Sequence, residues 1–143
     1  MAGASLTFRG CVMPWHCDQM GHMNARHIYA CFDDATGVFA AQLGADFGKV
    51  AASGLGWADV HQEINFIHEL RNGSAITVST SLLVLGRSSI QFRHDLRSHD
   101  SADVAASMNC KSVRFDTATR RSVHIDDGLR REITALLPDK VET

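Results

Sequence analysis

The spacing of apolar residues changes once along this chain, and that change limits the folds open to it. Between about residues 24 and 43, Ile28, Cys31, Phe32, Ala35, Val38, Phe39 and Leu43 recur every three or four positions, the stripe of one amphipathic helix. From residue 58 almost to the end the period is two. Ala58, Val60, Gln62, Ile64 and Phe66 form one alternating run; Ile76, Val78, Leu82 and Val84 form the next; Ile90, Phe92, His94 and Leu96 form a third. Val104 to Phe115 supplies a last long strand.

Local signals divide these runs. Leu6 to Met13 reads as a first strand, ended by Pro14, which has no amide to give to a ladder. Asn24 is placed to cap the helix and Gly44 to stop it. A loop rich in Gly and Ala is expected from Gly48 to Gly56, with turns at Asn72-Gly73, Gly86 and Ser98-His99-Asp100-Ser101. Asp126 caps a short last helix carrying Leu129, Ile133 and Leu136, closed by Pro138. The order of strand, long helix and four hairpin-linked strands gives an α+β domain in two layers, with an antiparallel sheet and one helix to cover it. The open sheet face or edge calls for a partner, so a homo-oligomer is expected.

Composition excludes several classes of function. A chain of 143 residues suits one domain. Its 14 basic and 16 acidic side chains leave 14 − 16 = −2 with no run of lysine or arginine, so no nucleic-acid partner is expected. No apolar stretch approaches the ~20 residues of a membrane helix, and the opening "MAGASLTFRG" lacks the pattern of a signal peptide. The expected location is cytoplasmic, with no membrane partner. Cys11, Cys17, Cys31 and Cys110 are scattered without a CxxC pair, and read as free thiols rather than a zinc site.

The segment from Trp15 to Tyr29, "WHCDQMGHMNARHIY", concentrates the chemistry. His16, Cys17, Asp18, His22 and His27 all have ligand chemistry, but they straddle a loop and a glycine instead of sharing one helix face, so no metal is expected. Two readings stay open. In one, Asp18 starts a turn, Gly21 takes a positive φ and Asn24 caps the helix, with no further role. In the other, a carboxylate just before a helix N-terminus attacks or activates water while free amides at the positive end of the dipole receive an oxyanion. Acyl transfer uses that pairing, and a thioester is activated enough to need no metal.

With its Asp18-Gln19-Met20-Gly21-His22-Met23-Asn24 element, the acidic pair Asp33-Asp34 followed by Ala35, "LGRSSIQFRHDL" at 85–96 and "VRFDTATRR" at 113–121, the chain resembles the hotdog-fold acyl-CoA thioesterases of the 4-hydroxybenzoyl-CoA thioesterase type. The resemblance covers almost the full length. It implies a single hotdog thioesterase-like domain over 1–143, with a five-stranded antiparallel sheet wrapped around one long central helix and a short C-terminal helix. It makes Asp18 the catalytic carboxylate and the backbone amide of Ala25 the oxyanion donor, with Gly21, His22 and Asn24 shaping the loop. It also implies a homodimer or homotetramer with the active site at the subunit interface, where the partner supplies residues from its second or third strand, His61 and Glu63 being the candidates on the second. Arg87, Ser88 and Ser89 become candidates for the phosphates of coenzyme A, beside the plainer reading of a solvated hairpin. No cofactor is implied, because coenzyme A is part of the acyl-CoA substrate.

The chain departs from the family at three places. His16 stands where many members have a second acid, Ile28 where many have Tyr, and Thr36 where many have Arg. His16 is therefore a candidate for binding a substrate carboxylate or, when charged, for acting on Asp18. The expected function is thioester hydrolysis to free acid and coenzyme A. A non-catalytic acyl-CoA-binding hotdog module is the alternative, and a hotdog dehydratase a third, although Asp33 and Asp34 lack a histidine partner in sequence. Trp57 and Phe66 read as core or interface aromatics. The acyl group stays open among aromatic, medium-chain and small polar classes.

Overall fold

A computed structural model describes residues 3–44 and 47–135. Strand β1 (Ala4–Cys11) leads through a single 3-10 turn (Pro14–His16) to the long helix α1 (Ala25–Gln42). A short helix α2 (Phe47–Ser53) precedes strands β2 (Leu55–Phe66), β3 (Ala75–Leu85), β4 (Ser89–Ser98) and β5 (Val104–Asp116). The two-residue strand β6 (Arg121–Ser122) and helix α3 (Asp127–Thr134) complete the described chain. All strand pairs are antiparallel, in the order β1-β3-β4-β5-β2, with β6 beside β5.

Helix α1 lies against β1, β3 and β4. Its stripe is the expected one: Ile28, Cys31, Phe32, Ala35 and Phe39 are buried, followed by Leu43 at the cap. Val38 departs from the expectation, being 44% exposed. It sits three residues from Ala35, on the flank of the stripe, where an apolar side chain stays in solvent at small cost. Phe92, Ile90, Leu96 and Met108 meet the helix from the sheet and are almost fully buried. The five long strands, the central helix and the short last helix are those the sequence implied.

Three expectations are corrected. The Gly48–Gly56 loop contains the helix α2. Its Ala51-Ala52 pair has good helix propensity, and Gly54, at φ 72°, ends it by donating its amide to Val50 O at 2.8 Å. The alternation through Val60 is broken by a bulge between Asp59 and His61. Trp57 and Asp59 therefore face the helix before the bulge, and Gln62, which accepts from Tyr29 Oη at 2.8 Å, faces it afterwards. Val60 itself is 57% exposed. Strand β1 ends at Cys11, two residues earlier than expected, because Val12 turns to exchange hydrogen bonds with Gly73 and Ser74. Asp126 caps α3 as expected, accepting from the Leu129 amide at 2.9 Å, while Leu136 and Pro138 lie outside the described residues. The four cysteines are free thiols.

Candidate active site

The segment from Cys17 to Met23 folds as a small antiparallel loop closed by a bridge between those two residues. The Asp18 amide donates to His22 O at 3.1 Å, and the Gly21 amide returns to Asp18 O at 3.0 Å. Gly21 takes φ 81°, a conformation that costs a side-chain-bearing residue energy. Within this loop Asp18 Oδ1 accepts from the Met20 amide at 2.9 Å. Asp18 Oδ2 accepts from Asn24 Nδ2 at 3.2 Å.

Asn24 joins the carboxylate to the helix. Its Oδ1 accepts from the Arg26 amide at 3.0 Å, the N-cap bond, while its Nδ2 holds Asp18. Because one partner can only donate and the other only accept, these two bonds fix the orientation of the Asn24 amide. An aspartate at this position would cap the helix equally well but would oppose Asp18 with a like charge.

The amides of the first helical turn are not equally engaged. Arg26 is held by the cap, and His27 and Ile28 donate to Asn24 O at 3.0 and 3.1 Å. Among the described residues none accepts from the Ala25 amide. Ala25 opens on a cleft of ≈ 200 Å³ that it lines with His22, Ile28, Phe66 and Ile67, among others. The helix start thus borders an apolar-edged cleft that Asp18 does not itself line, and the half-buried carboxylate is joined to that helix start through Asn24. Both Asp18 oxygens keep a lone pair beyond the bonds they accept, so the carboxylate can still take a proton from water or form a bond.

His22 belongs to the frame of this junction. Its Nε2 lies 3.0 Å from Glu69 Oε2, tying the loop to the chain between β2 and β3. His16 is also built into the frame: Nδ1 accepts from the Met13 amide at 3.0 Å, and its carbonyl accepts from the Asn24 amide at 2.8 Å. The first bond places the proton of the neutral ring on Nε2. The ring lies 4.9 Å from that of His27, whose basicity is lowered by desolvation and by the charges of Arg26 and His16. No group of three metal-ligating side chains occurs among the described residues.

The other candidates do not gather here within one chain. His61 and Glu63 are exposed on β2, alternating with Gln62 and so turned from α1. Arg87, Ser88 and Ser89 lie in the β3–β4 hairpin, whereas the Asp18 loop follows the end of β1 that pairs with Ala75 at the start of β3. The length of β3, about 30 Å, separates the two ends. The hairpin backbone is clasped from the C-terminal side: Arg87 O accepts from the Ile125 amide at 3.0 Å and from Arg130 Nη2 at 3.1 Å, and Ser88 O from the Arg114 amide at 2.8 Å.

A second polar feature escaped the sequence reading. His94, with no exposed surface, receives Thr80 Oγ1 at its Nδ1 (2.6 Å) and reaches Thr36 Oγ1 with its Nε2 (2.8 Å). Thr36 donates to Phe32 O at 2.9 Å, and Thr7 lies 2.7 Å from Thr80. The two ends of this chain compete, since Thr7 Oγ1 also reaches Val78 O at 3.2 Å, and the shorter bond from Thr36 to Phe32 O favours the imidazole proton on Nε2. Its signal in the sequence was a histidine in the apolar phase of the β4 alternation.

The model of the Thioesterase-like superfamily matches residues 12–133. The chain belongs to this superfamily. The betainyl-CoA thioesterase of Pseudomonas aeruginosa is 29% identical over 96 residues, which are 67% of this chain and 60% of that protein. The chain therefore aligns with less than two thirds of that relative. A Staphylococcus aureus protein solved in complex with CoA superposes with TM-score 0.86 at 16% identity, over 97% of this chain and 90% of the other. The 1,4-dihydroxy-2-naphthoyl-CoA thioesterase of Synechocystis superposes with TM-score 0.76 at 14% identity, over 90% and 95% of the two chains. These likenesses establish the hotdog fold of this superfamily member. No described helix is long and apolar enough to cross a membrane.

Proposed function

We propose that this thioesterase-superfamily protein hydrolyses acyl-CoA thioesters, with Asp18 as nucleophile or general base and the Ala25 amide as oxyanion donor. The observation that carries the reading is the junction at Asn24, which ties the Asp18 carboxylate to the cap of α1 while leaving the first helical amide unengaged. In the general-base route Asp18 takes a proton from water as the water oxygen bonds to the thioester carbon. The carbonyl electron pair moves onto oxygen, towards the Ala25 amide. When the carbonyl reforms, the carbon–sulfur bond breaks, and the coenzyme A thiolate takes up the proton. In the nucleophilic route Asp18 itself bonds to the carbon and expels the thiolate, and water then opens the mixed anhydride.

On this reading the protein acts as a homodimer or homotetramer in which a partner completes the cleft beside Ala25, His16 contacts the acyl group, and Arg87, Ser88 and Ser89 meet the phosphates of coenzyme A. Aromatic, medium-chain and small polar acyl groups all stay open, 4-hydroxybenzoyl being the candidate the family resemblance suggests and a small cationic group the one the betainyl-CoA relative adds. The test is a panel of 4-hydroxybenzoyl-, betainyl- and aliphatic acyl-CoAs, assayed by release of thiol from wild type and Asp18→Asn. At least one substrate is expected to turn over, with kcat falling by about a hundredfold or more in the variant. Wild-type rates in Asp18→Asn would remove Asp18 from the chemistry; tight binding of intact acyl-CoA without turnover would make the protein a binding module. Mass spectrometry of a rapidly quenched turnover separates the two routes, since only the nucleophilic one acylates Asp18.

A further inference from the structure

The groove between α1 and β2 holds two separate recesses. At the start of the helix, Ala25 and Ile28 from α1 and Phe66 from β2 border the cleft of ≈ 200 Å³. Further along, Asp33 and Gly37 from α1 and Trp57 and Asp59 from β2 border a second cavity of ≈ 330 Å³. Its floor is aromatic, with the Phe39 and Phe92 ring centroids 5.1 Å apart. Between the two linings lie residues 29–32 of the helix and 60–65 of the strand.

A single side-chain bond crosses the groove within that interval. Tyr29 Oη donates to Gln62 Oε1 at 2.8 Å, and among the described residues no other hydrogen bond joins a side chain of α1 to one of β2. Tyr29 follows Ala25 by four residues and precedes Asp33 by four, so the three stand in one row along the helix, each about 6 Å from the next. Gln62 reaches the helix side because of the bulge before it. Its amide is held from behind, Nε2 lying 4.0 Å from Cys110 Sγ, which leaves Oε1 for the phenol. Tyr29 is 39% exposed, so this bar lies across the groove and not in the core.

We propose that Tyr29 and Gln62 end the acyl site, so that the protein takes compact acyl groups, short aliphatic chains or a single ring, and excludes long chains. The assignment rests on the hydrolytic reading, in which the thioester carbonyl stands at the Ala25 amide. From there Ile28 and Phe66 form apolar walls leading towards Tyr29, while the contact of His22 with Glu69 stands on the side of the loop. About 6 Å of groove is room for roughly five extended carbons. The aromatic floor beyond the bar is closed to the acyl chain in the wild type.

Ketone analogues, in which a methylene separates the coenzyme A sulfur from a carbonyl bearing a linear chain from methyl to nonyl, keep the carbonyl but have no thioester to break. Their binding to the full chain is followed by calorimetry. In wild type, affinity is expected to rise about fourfold per methylene up to about five carbons, and by less than about twofold per methylene beyond. Tyr29→Ala joins the recesses: the octyl analogue binds at least about tenfold more tightly than to wild type, and the propyl analogue within about twofold. Gln62→Ala, which leaves the tyrosine ring unanchored, moves the break in the same direction. Loss of packing alone would weaken every chain length together and leave the break in place. A wild-type profile without a break, or a break unmoved in both variants, would overturn the proposal. Thiol release from the matching acyl-CoAs is measured beside it. Turnover without a break leaves hydrolysis standing and removes the bar, a break without turnover does the reverse, and failure of every analogue to bind removes both.

Discussion

A histidine sealed in a core is tolerable only if both ring nitrogens are paired and the ring stays neutral. His94 meets both conditions: its nitrogens are shared between Thr80 and Thr36, and its ring stacks on Phe32 at 5.8 Å with the planes 10° apart. Burial lowers its pKa from 6.5 to about 4 against the opposing pull of Asp95. The unfolded chain takes up this proton below about pH 6.5, whereas the folded one does so only near pH 4. The neutral ring's contribution is therefore complete above 6.5 and is lost as pH falls towards 4. At pH 4.5 the loss is on the order of 2–3 kcal/mol. Urea titrations at pH 7 and pH 4.5 should show a fall in stability that is smaller by about this amount in His94→Gln. Equal falls in the two proteins would clear His94 of the effect. Thr36→Val, which leaves the Nε2 proton without an acceptor, should cost about 1–3 kcal/mol at pH 7 by the same measurement.

The junction between the Asp18 loop and α1 both caps the helix and holds the carboxylate, and substitutions can separate the two. Asn24→Ser keeps an oxygen for the Arg26 amide but loses the Nδ2 donor to Asp18, while Asn24→Ala loses both. Melting experiments should show Asn24→Ala about 1 kcal/mol less stable and Asn24→Ser near wild type. Both should lose hydrolytic rate. If Asn24→Ser hydrolysed acyl-CoA at the wild-type rate, the bond to Asp18 would have no catalytic consequence. Gly21→Ala meets no neighbouring atom within 4 Å, so its expected cost of about 1–2 kcal/mol arises from φ 81° alone. This junction was legible in the sequence because caps and positive-φ glycines are local devices. The bulge at Val60 was not, because an extra residue in a strand leaves the composition of the run unchanged. Helix α2 was missed for the related reason that Gly48 and Gly54 outweighed the propensity of the alanines between them. Trp57 and Asp59, which precede the bulge, are in the opposite phase to the alternation read through Val60 and Gln62, and for that reason their place facing α1 and a cavity was not legible.

For the whole molecule, the sheet has two open edges, β1 and β2, and they are not alike. Strand β2 is the longer, with 12 residues against 8, and exposes Val60 by 57% and Phe66 by 58%; Ile67 just beyond it is 52% exposed. Phe66 and Ile67 also line the cleft on which Ala25 opens. On the homodimer or homotetramer proposed above, this edge, which carries apolar side chains and borders the Ala25 cleft, is where a second copy of the chain would pair. Residues that a partner brings to such a seam leave no trace in the spacing along one chain. Family resemblance therefore suggests roles for His61, Glu63 and the hairpin at Arg87 where periodicity and motif spacing are silent. Light scattering should give at least twice the chain mass of 15.6 kDa for wild type. Val60→Lys combined with Phe66→Lys places two charges on the β2 edge and should yield a monomer, with kcat/KM reduced by about tenfold or more. Leu6→Lys on the β1 edge, where Leu6 is 50% exposed, should leave both mass and activity unchanged. A double variant that keeps the wild-type mass would move the seam away from β2, and a fully active monomer would show that one chain holds the complete site.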